Sequence, residues 1–337
     1  MPSITKASTP TSGAISFADL NTALRNSSGT EVSLGDGDVR SLLGVSSGSV
    51  DMNTAYNKFF PYGEVVYSTN NGDNSDGPYT FTSCDFGTDT DDRIILCVVT
   101  YYTQYGNVDN TGNYSLDTIA SATIGGVSAT CAGRMDGYTV PAGHREQMCV
   151  FYARPTGTSG NVVYSVNNAG WDSGTSYRAG MARTLTIYAL YGLNTSNPIE
   201  YSVHTQKTDG TDGTYNLRIT LSPDNSGNQK DKLLLLLTGR HYIDGTTPTN
   251  NYFYINSSSK TSDWQNPSTS SVEGQGALGY LTNDVPTTST FTANSVTGDD
   301  QASGLDLETT CFIGIILAKN PSSAQTVSFA PSLTYTP

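Results

Sequence analysis

The sequence predicts a mainly β protein: two tandem antiparallel β-sandwiches of jelly-roll-like topology, preceded by a short helical docking segment. Three observations support this fold class. The 337-residue chain is rich in Gly and Tyr and only 14% charged, which is typical of β-rich proteins with many turns. After Phe60, β-branched and aromatic runs alternate with turn residues, as expected for strands. A set of motifs from the first half then returns in the same order in the second half.

The segment 1–60 contains a small unit that occurs three times, each copy offering a helix start. Three side chains could cap first turns, namely Ser16, Ser33 and Asp51. Two acids stand three residues after the first two caps, where a capping-box acid belongs: Asp19 and Asp36. The pattern predicts short helices at about 17–25, 36–43 and 52–58, and glycines such as Gly44 would end them.

Helices this short are marginal in water, and each offers only a few apolar positions. The sequence therefore predicts that segment 1–60 lacks a core of its own and docks onto a partner. The predicted docking side chains are Phe17, Leu20, Leu24, Val39, Leu42, Leu43, Met52 and Tyr56.

The rest of the chain is predicted to be an internal duplication, with sandwiches at 76–193 and 213–320 and a C-terminal tail at 321–337. The Gly125-Gly126 pair predicts a tight hairpin in the first sandwich. Five pairs of positions match in the same order: Gly77 with Gly213, Arg93 with Lys232, Ile124 with Ile255, Pro155 with Pro286, and Leu185 with Phe312. The tail would add an edge strand or exchange onto a neighbouring chain.

Two strand-like runs, Ile94–Val99 and Leu233–Leu237, are apolar at consecutive positions. The Leu run alone is also compatible with a buried helix, but its β-branched counterpart favours a strand. A strand that is apolar on both sides needs both faces covered. The cover would be the sister sandwich, the helical segment or another subunit.

Composition excludes several classes of function. The net charge of −13 disfavours nucleic-acid binding, because an acidic surface repels phosphates. No apolar run approaches the length of a membrane span, so membrane insertion is not expected, and the polar start resembles no secretory signal. The odd number of cysteines, without a C-x-x-C pair, argues against a zinc site or a disulfide framework and favours a reducing cytosol.

The sequence predicts no catalytic residue, no cofactor and no metal ligand set. The three histidines are scattered. Calcium could bind to the acids Asp85, Asp89, Asp91 and Asp92, or to those in the stretch from Asp109 to Asp117. Acids beside a strand are, however, commonly just solvated. Aromatic residues in "YYTQYG" and "NYFYIN", with Trp171 and Trp264, could stack on sugar rings or simply pack between the sandwiches.

The opening repeat, with "VRSLLGVSSG" after it, resembles the amino-terminal segments of structural proteins from tailed bacteriophages, including tail fibre and appendage proteins. The stretch "ATIGGVSATC…VFYARPTGTSGNVVYSV" also resembles β-sandwich domains of phage virion proteins. The resemblance implies a virion component assembled in the bacterial cytoplasm, a homo-oligomer with a trimer as one form, and partners among the tail or capsid proteins. It implies no catalytic residues.

The expected function is therefore that of a non-enzymatic virion structural protein, docked through its N-terminus and projecting the sandwiches as a tail-associated fibre, spike or appendage. The chain lacks a repetitive shaft or a collagen-like run, which keeps a capsid-surface decoration (cement) protein as an alternative. The other alternative is an adhesion module that binds a host surface glycan.

Overall fold

The computed structural model describes residues 3–27, 29–71, 78–104, 118–136, 144–167, 183–207, 215–224, 229–243, 250–267, 273–298 and 307–321, together with 325, 327 and 329. Within this part of the chain no helix has the length and apolarity needed to cross a membrane.

The amino-terminal segment begins with the short strand β1 (Ser3–Ile4), followed by helices α1 (Phe17–Ala23) and α2 (Gly37–Leu43) and a 3₁₀ turn at Met52–Thr54. Ser16 caps α1 as predicted: its Oγ accepts from the Asp19 N–H at 3.2 Å, and an Asp19 carboxylate oxygen accepts from the Ser16 N–H at 2.7 Å. This reciprocal capping box satisfies two otherwise unpaired donors.

Helix α2 agrees with the predicted range 36–43 to within one residue, but its N-cap is not the predicted Ser33. Its N-cap is Asp36, which makes no side-chain capping bond, and the Asp36 carboxylate accepts instead from the Ser33 N–H at 2.7 Å. Ser33 therefore belongs to the turn before the helix and is not its cap. Gly44 ends α2 in the left-handed conformation, as the sequence predicted.

The first sandwich consists of a six-stranded and a four-stranded antiparallel sheet. The larger sheet has the order β1-β2-β10-β4-β8-β7, and the smaller one β3-β9-β5-β6. The strands are β2 (Tyr62–Asn71), β3 (Tyr79–Asp85), β4 (Ile94–Gln104), β5 (Thr118–Ile124), β6 (Val127–Ser128), β7 (Thr130–Asp136), β8 (His144–Ala153), β9 (Ser159–Asn167) and β10 (Arg183–Tyr191).

The second sandwich follows the same plan. Its five-stranded sheet has the order β11-β19-β13-β17-β16, and its four-stranded sheet the order β12-β18-β14-β15. The strands are β11 (Ile199–Lys207), β12 (Tyr215–Leu221), β13 (Lys232–Ile243), β14 (Asn250–Ile255), β15 (Ser258–Thr261), β16 (Trp264–Pro267), β17 (Glu273–Thr282), β18 (Phe291–Gly298) and β19 (Leu307–Ala318), with a 3₁₀ turn (Gln229–Asp231) before β13.

The two sandwiches stack into four layers with a third core between them. The larger sheets face each other, and the buried side chains between them include Ile94, Leu96 and Val98 from β4, and Leu233, Leu235 and Leu237 from β13. The alternate residues of the same strands fill the two sandwich interiors. The second face of each central strand is therefore covered by the sister sandwich, as a strand apolar on both sides requires.

Both sandwiches begin one strand earlier than the predicted starts at 76 and 213. Strand β2 lies beside β10, and β11 lies beside β19, so each opening strand belongs to the large sheet of its sandwich. Both strands mix polar and apolar residues, so their sequences resemble those of linkers. Their place is set by pairing with a strand more than 100 residues later in the chain.

Several contacts between the large sheets repeat with the roles of the sandwiches exchanged. Strand β7 contacts β11 while β16 contacts β2, β8 contacts β19 while β17 contacts β10, and β8 contacts β13 while β17 contacts β4. The correspondence is partial, because β7 also packs on β19, and among the described residues β16 and β10 have no contact of similar extent. The packing therefore approximates the reciprocal pattern of a two-fold interface.

Strand β1 and the residue Gln325 lie beside equivalent strands of the two large sheets, β2 and β11. Strand β1 pairs with β2 through Ile4 opposite Gly63, and the backbone N–H of Gln325 donates to the Ile199 carbonyl of β11 at 3.2 Å. The Gln325 side chain also bonds the backbone of Ser202. Covering exposed edge groups in this way blocks pairing with other chains.

Candidate functional site

A cleft of about 1020 Å³ separates the helical segment from one end of the second sandwich. Helix α2 and the residues that follow it form one wall. The other wall consists of the turn 229–231 and the loops at 283–285 and 319–320.

Polar contacts join the two walls. Lys230 Nζ donates to the Leu24 carbonyl and to Asn26 Oδ1, both at 3.0 Å, and forms an ion pair with Asp38 at 3.2 Å. Ser41 Oγ donates to Asp231 Oδ2 at 2.6 Å. Because these bonds span about 200 residues of sequence, they hold the segment against the second sandwich.

Asp231 is the most unusual group in the cleft. Its Oδ2 accepts from Ser41, but its Oδ1 is buried and has no hydrogen-bond partner among the residues that the structure describes. Burial raises the pKa of this carboxyl, and the Ser41 bond opposes the rise. An incompletely satisfied carboxylate of this kind costs folding free energy.

Three cations of the cleft, Lys230, Arg25 and Arg40, are bound by protein groups. Besides Lys230, the Arg25 guanidinium donates to the carbonyls of Phe60 and Pro61 at 3.4 and 3.1 Å, and Arg40 donates to the Gly48 carbonyl at 3.0 Å. The cleft therefore works as a polar joint between the segment and the sandwich.

Two buried cations begin the central strands of the sandwiches. Arg93, directly before β4, is almost fully buried, and its guanidinium donates to four loop carbonyls at 2.7–3.3 Å: those of Phe86, Gly87, Pro155 and Gly157.

Its counterpart Lys232, the first residue of β13, pairs with Glu200 at 2.7 Å with both side chains buried. Glu200 sits at an irregularity in the pairing of β11 with β19. Both cations therefore join loops to the core, which is a structural role.

In the acid-rich loop, which the sequence offered as a calcium site, the carboxylates of Asp85, Asp89 and Asp92 accept hydrogen bonds from backbone N–H groups. An Asp89 oxygen accepts from the Gly157 N–H at 2.6 Å while the other pairs with Arg93 at 3.1 Å. Asp92 accepts from the Gly192 N–H at 3.0 Å, and Asp85 from the Gly87 N–H at 2.8 Å. The other acidic stretch, 109–117, lies outside the described residues. Among the described residues no group of three or more His, Cys, Asp or Glu side chains is arranged to hold a metal ion.

The predicted docking side chains are mostly inside the chain. Five of them form a buried cluster with Ala23, Ala55 and Phe60: Leu20, Leu24, Val39, Leu42 and Leu43. The expectation that segment 1–60 has too few apolar residues for a core is therefore corrected. Each helix contributes few side chains, but the side chains of the three elements pack together, and two alanines outside the predicted docking set complete the cluster.

The remaining three predicted residues lie nearer the surface. Met52 is half-buried against this cluster, and the Tyr56 hydroxyl donates to the Gly13 carbonyl at 2.6 Å. Phe17, at the start of α1, is 53% exposed. It is the predicted docking residue that remains most available to a partner.

A second polar surface lies on the outer face of the four-stranded sheet of the second sandwich. Tyr252 and Tyr254 of β14 are on this face, since the intervening Phe253 points into the core. Arg218 of β12 and Asn294 of β18 share a row with Tyr254. The aromatic run is visible in the sequence, but the arginine and the asparagine come to lie beside it only through the register of the sheet. Trp171 lies outside the described residues.

The fold and these surfaces define a mainly β protein with two packed sandwiches and a small helical segment held at one end. Comparison with family models, with curated proteins and with solved structures found no match to this chain.

Proposed function

We propose that the protein is a non-enzymatic structural component of a tailed-bacteriophage virion, a tail-associated fibre, spike or appendage. The observation that carries the proposal is the continuous apolar core between the two large sheets, which joins the sandwiches into one thick block. The buried cations Arg93 and Lys232 then hold the strand-end loops. These charged side chains bind backbone groups of the protein itself, which supports a structural role. The resemblance of the opening repeat to phage proteins supplies the virion context.

We also propose that each sandwich is a jelly roll and that the pair arose by duplication. The orders β2-β10-β4-β8 with β3-β9-β5-β6, and β11-β19-β13-β17 with β12-β18-β14-β15, correspond strand for strand. The registers agree with the anchors: Leu185 lies opposite Val99, and Phe312 opposite Thr238. The reciprocal contacts between the large sheets support the same origin.

We assign attachment to the exposed surface of the helical segment, which includes Phe17. The buried cluster gives this segment a defined shape, so a partner would recognise the folded surface and not the eight side chains as a set. Oligomerisation rests on the resemblance alone, because the apolar faces of the central strands are already covered within the chain.

A pair of surface variants tests the attachment. Phe17→Asp should abolish incorporation of the protein into particles while leaving it folded. Val127→Asp is the matched control, because Val127 is 40% exposed on the hairpin of the first sandwich. The Val127→Asp variant should be incorporated into particles normally. Normal incorporation of Phe17→Asp would place the attachment elsewhere.

The position of the protein in a cryo-EM map of the particle separates the tail from the capsid. A copy on every capsomer would establish the decoration protein and refute the tail assignment. Absence of the protein from purified particles would refute the virion role altogether.

A further inference from the structure

The outer face of sheet β12-β18-β14-β15 presents an ordered row of side chains. Alternate residues along these strands point into the core, among them Leu217, Phe253 and Ala293. Their neighbours face outward, and the register places four of them side by side: Arg218, Asn294, Tyr254 and Ser259. With strands about 4.8 Å apart, the row spans about 14 Å.

The side chains of this face are of the kinds that can bind a saccharide, with aromatic rings next to amides. Tyr252 and Tyr254 lie two residues apart on the same side of β14, about 7 Å along the strand, and Tyr252 is 39% exposed. Tyrosine offers an apolar ring face and a polar hydroxyl. Beside them, Asn294 Nδ2 donates to Asn216 Oδ1 at 2.8 Å, so the two amides are held in a fixed arrangement next to the rings.

The first sandwich shows that the fold does not require these residues. The corresponding row on sheet β3-β9-β5-β6 is Thr80, Val163, Thr123 and Ser128, which occupy the same register. That row carries no aromatic ring, no amide and no charge. Because both outer sheets pack on equivalent cores, the fold itself does not dictate the tyrosines, amides and arginine of the second sandwich.

The positive charge of Arg218 in this row favours a saccharide that carries a negative charge. Arg218 is exposed, and it is the one charged member of its row in a protein with a net charge of −13. A guanidinium binds a carboxylate through two parallel hydrogen bonds, whereas a neutral sugar would leave that charge unused.

We propose that this face binds a carboxylate-bearing oligosaccharide. Tyr252 and Tyr254 stack on the sugar rings, Asn216 and Asn294 bond the hydroxyls, and Arg218 pairs with the carboxylate. The inference goes beyond the proposed virion role and rests on the register of one sheet. The saccharide-binding test can therefore fail while the incorporation test succeeds, and the incorporation test can fail while saccharide binding is found.

The test is calorimetric titration of the full-length protein with two pairs of probes that keep the same sugar rings and differ only in their carboxylates: α-1,4-trigalacturonate with α-1,4-galactotriose, and 3′-sialyllactose with the methyl ester of its carboxylate. We expect binding of at least one acidic probe and weaker binding of its neutral partner. Tyr254→Ala should raise the dissociation constant of the acidic probe by about tenfold or more, as expected for the loss of a central aromatic contact. Arg218→Gln should remove the preference for the acidic probe.

The matched controls are Thr123→Ala and Thr80→Ala at the corresponding positions of the first sandwich, and both should bind as the unaltered protein does. Circular dichroism checks that every variant is folded, and Tyr252→Ala replaces Tyr254→Ala if the latter is not. The proposal is overturned if neither acidic probe binds, if acidic and neutral probes bind equally, or if the control variants lose as much affinity as the tyrosine variants.

Discussion

At the level of single residues, the sandwiches use charge at the positions where their central strands begin. Lys232 and Glu200 are both almost fully buried, and the Lys232 ammonium also donates to the Asp224 carbonyl while the Asp224 N–H donates to Glu200. A buried ion pair of this kind contributes little net stability compared with apolar residues, but it is costly to break, because a lone buried charge remains.

Replacing Lys232 by Met should therefore lower the free energy of unfolding by about 3–5 kcal/mol, measured by urea denaturation. The double variant Lys232→Met/Glu200→Leu should recover much of the loss, since it removes the orphaned carboxylate. Arg218→Met, on an exposed side chain, should change stability by less than about 0.5 kcal/mol. A Lys232→Met variant as stable as this control would show that the pair is not buried in solution.

Asp231 gives the stability of the joint a pH dependence. Burial raises its pKa above the ordinary value of 3.8, so between the two pKa values the folded protein binds more protons than the unfolded chain. The free energy of unfolding should then fall as the pH rises from 3.8 through the raised value, and stay lower above it.

Asp231→Asn keeps an acceptor for Ser41 and removes the titration, so its unfolding midpoint should fall less over the same pH range. An unchanged pH profile in this variant would mean that Asp231 does not contribute to the dependence.

At the level of elements, the hairpins of the two outer sheets adopt the same type of turn with different residues. Gly125 and Gly126 join β5 to β6, and Asn256 and Ser257 join β14 to β15; all four have positive φ angles, from 48° to 80°. Positive φ at both central residues is the requirement of a type I′ turn. The Gly-Gly pair satisfies it without strain, whereas Ser257 holds a conformation that costs free energy for a residue with a Cβ.

The two glycines should differ in their tolerance of alanine. At Gly126 an added Cβ meets nothing within 4 Å, while at Gly125 it would lie 2.7 Å from Pro155 Cβ. Both changes force positive φ on alanine, at about 1–2 kcal/mol, but Gly125→Ala adds a clash of about 1–3 kcal/mol.

Thermal unfolding of the two variants should show Gly125→Ala as clearly the less stable. Equal melting temperatures would contradict the close approach of Pro155 to this turn.

At the level of the whole molecule, the face-to-face packing of the large sheets decides the behaviour of the central strands. Leu235 lies in the core between the sandwiches and Leu236 in the interior of the second one, both fully buried. The interface is therefore intramolecular, and damage to it acts on folding and not on assembly.

Leu235→Asp should unfold the protein, because a carboxylate would be buried without a partner, and Leu235→Ala should cost about 2–5 kcal/mol. Light scattering with circular dichroism checks the outcome: the aspartate variant should be expanded or aggregated, with loss of β structure. A folded variant that merely had a smaller mass would mean that Leu235 lies between subunits.

Local patterns in the sequence determined the features that depend on neighbouring residues. The capping box of Ser16 and Asp19, the end of α2 at Gly44 and the Gly125-Gly126 hairpin follow from backbone bonds made within a few positions. The burial of both faces of β4 and β13 was also predictable, because consecutive apolar residues leave no side for water.

Only the tertiary structure decided which surfaces meet. The sister sandwich, the helical segment and another subunit were equally able to cover β4 and β13, and β2 and β11 were recognisable only beside β10 and β19. The apolar residues of segment 1–60 form their own cluster because three weak elements combine, which no single helix reveals. The row of Arg218, Asn294 and Tyr254 joins residues up to 76 positions apart, because side chains on different strands become neighbours only when the register of the sheet is set.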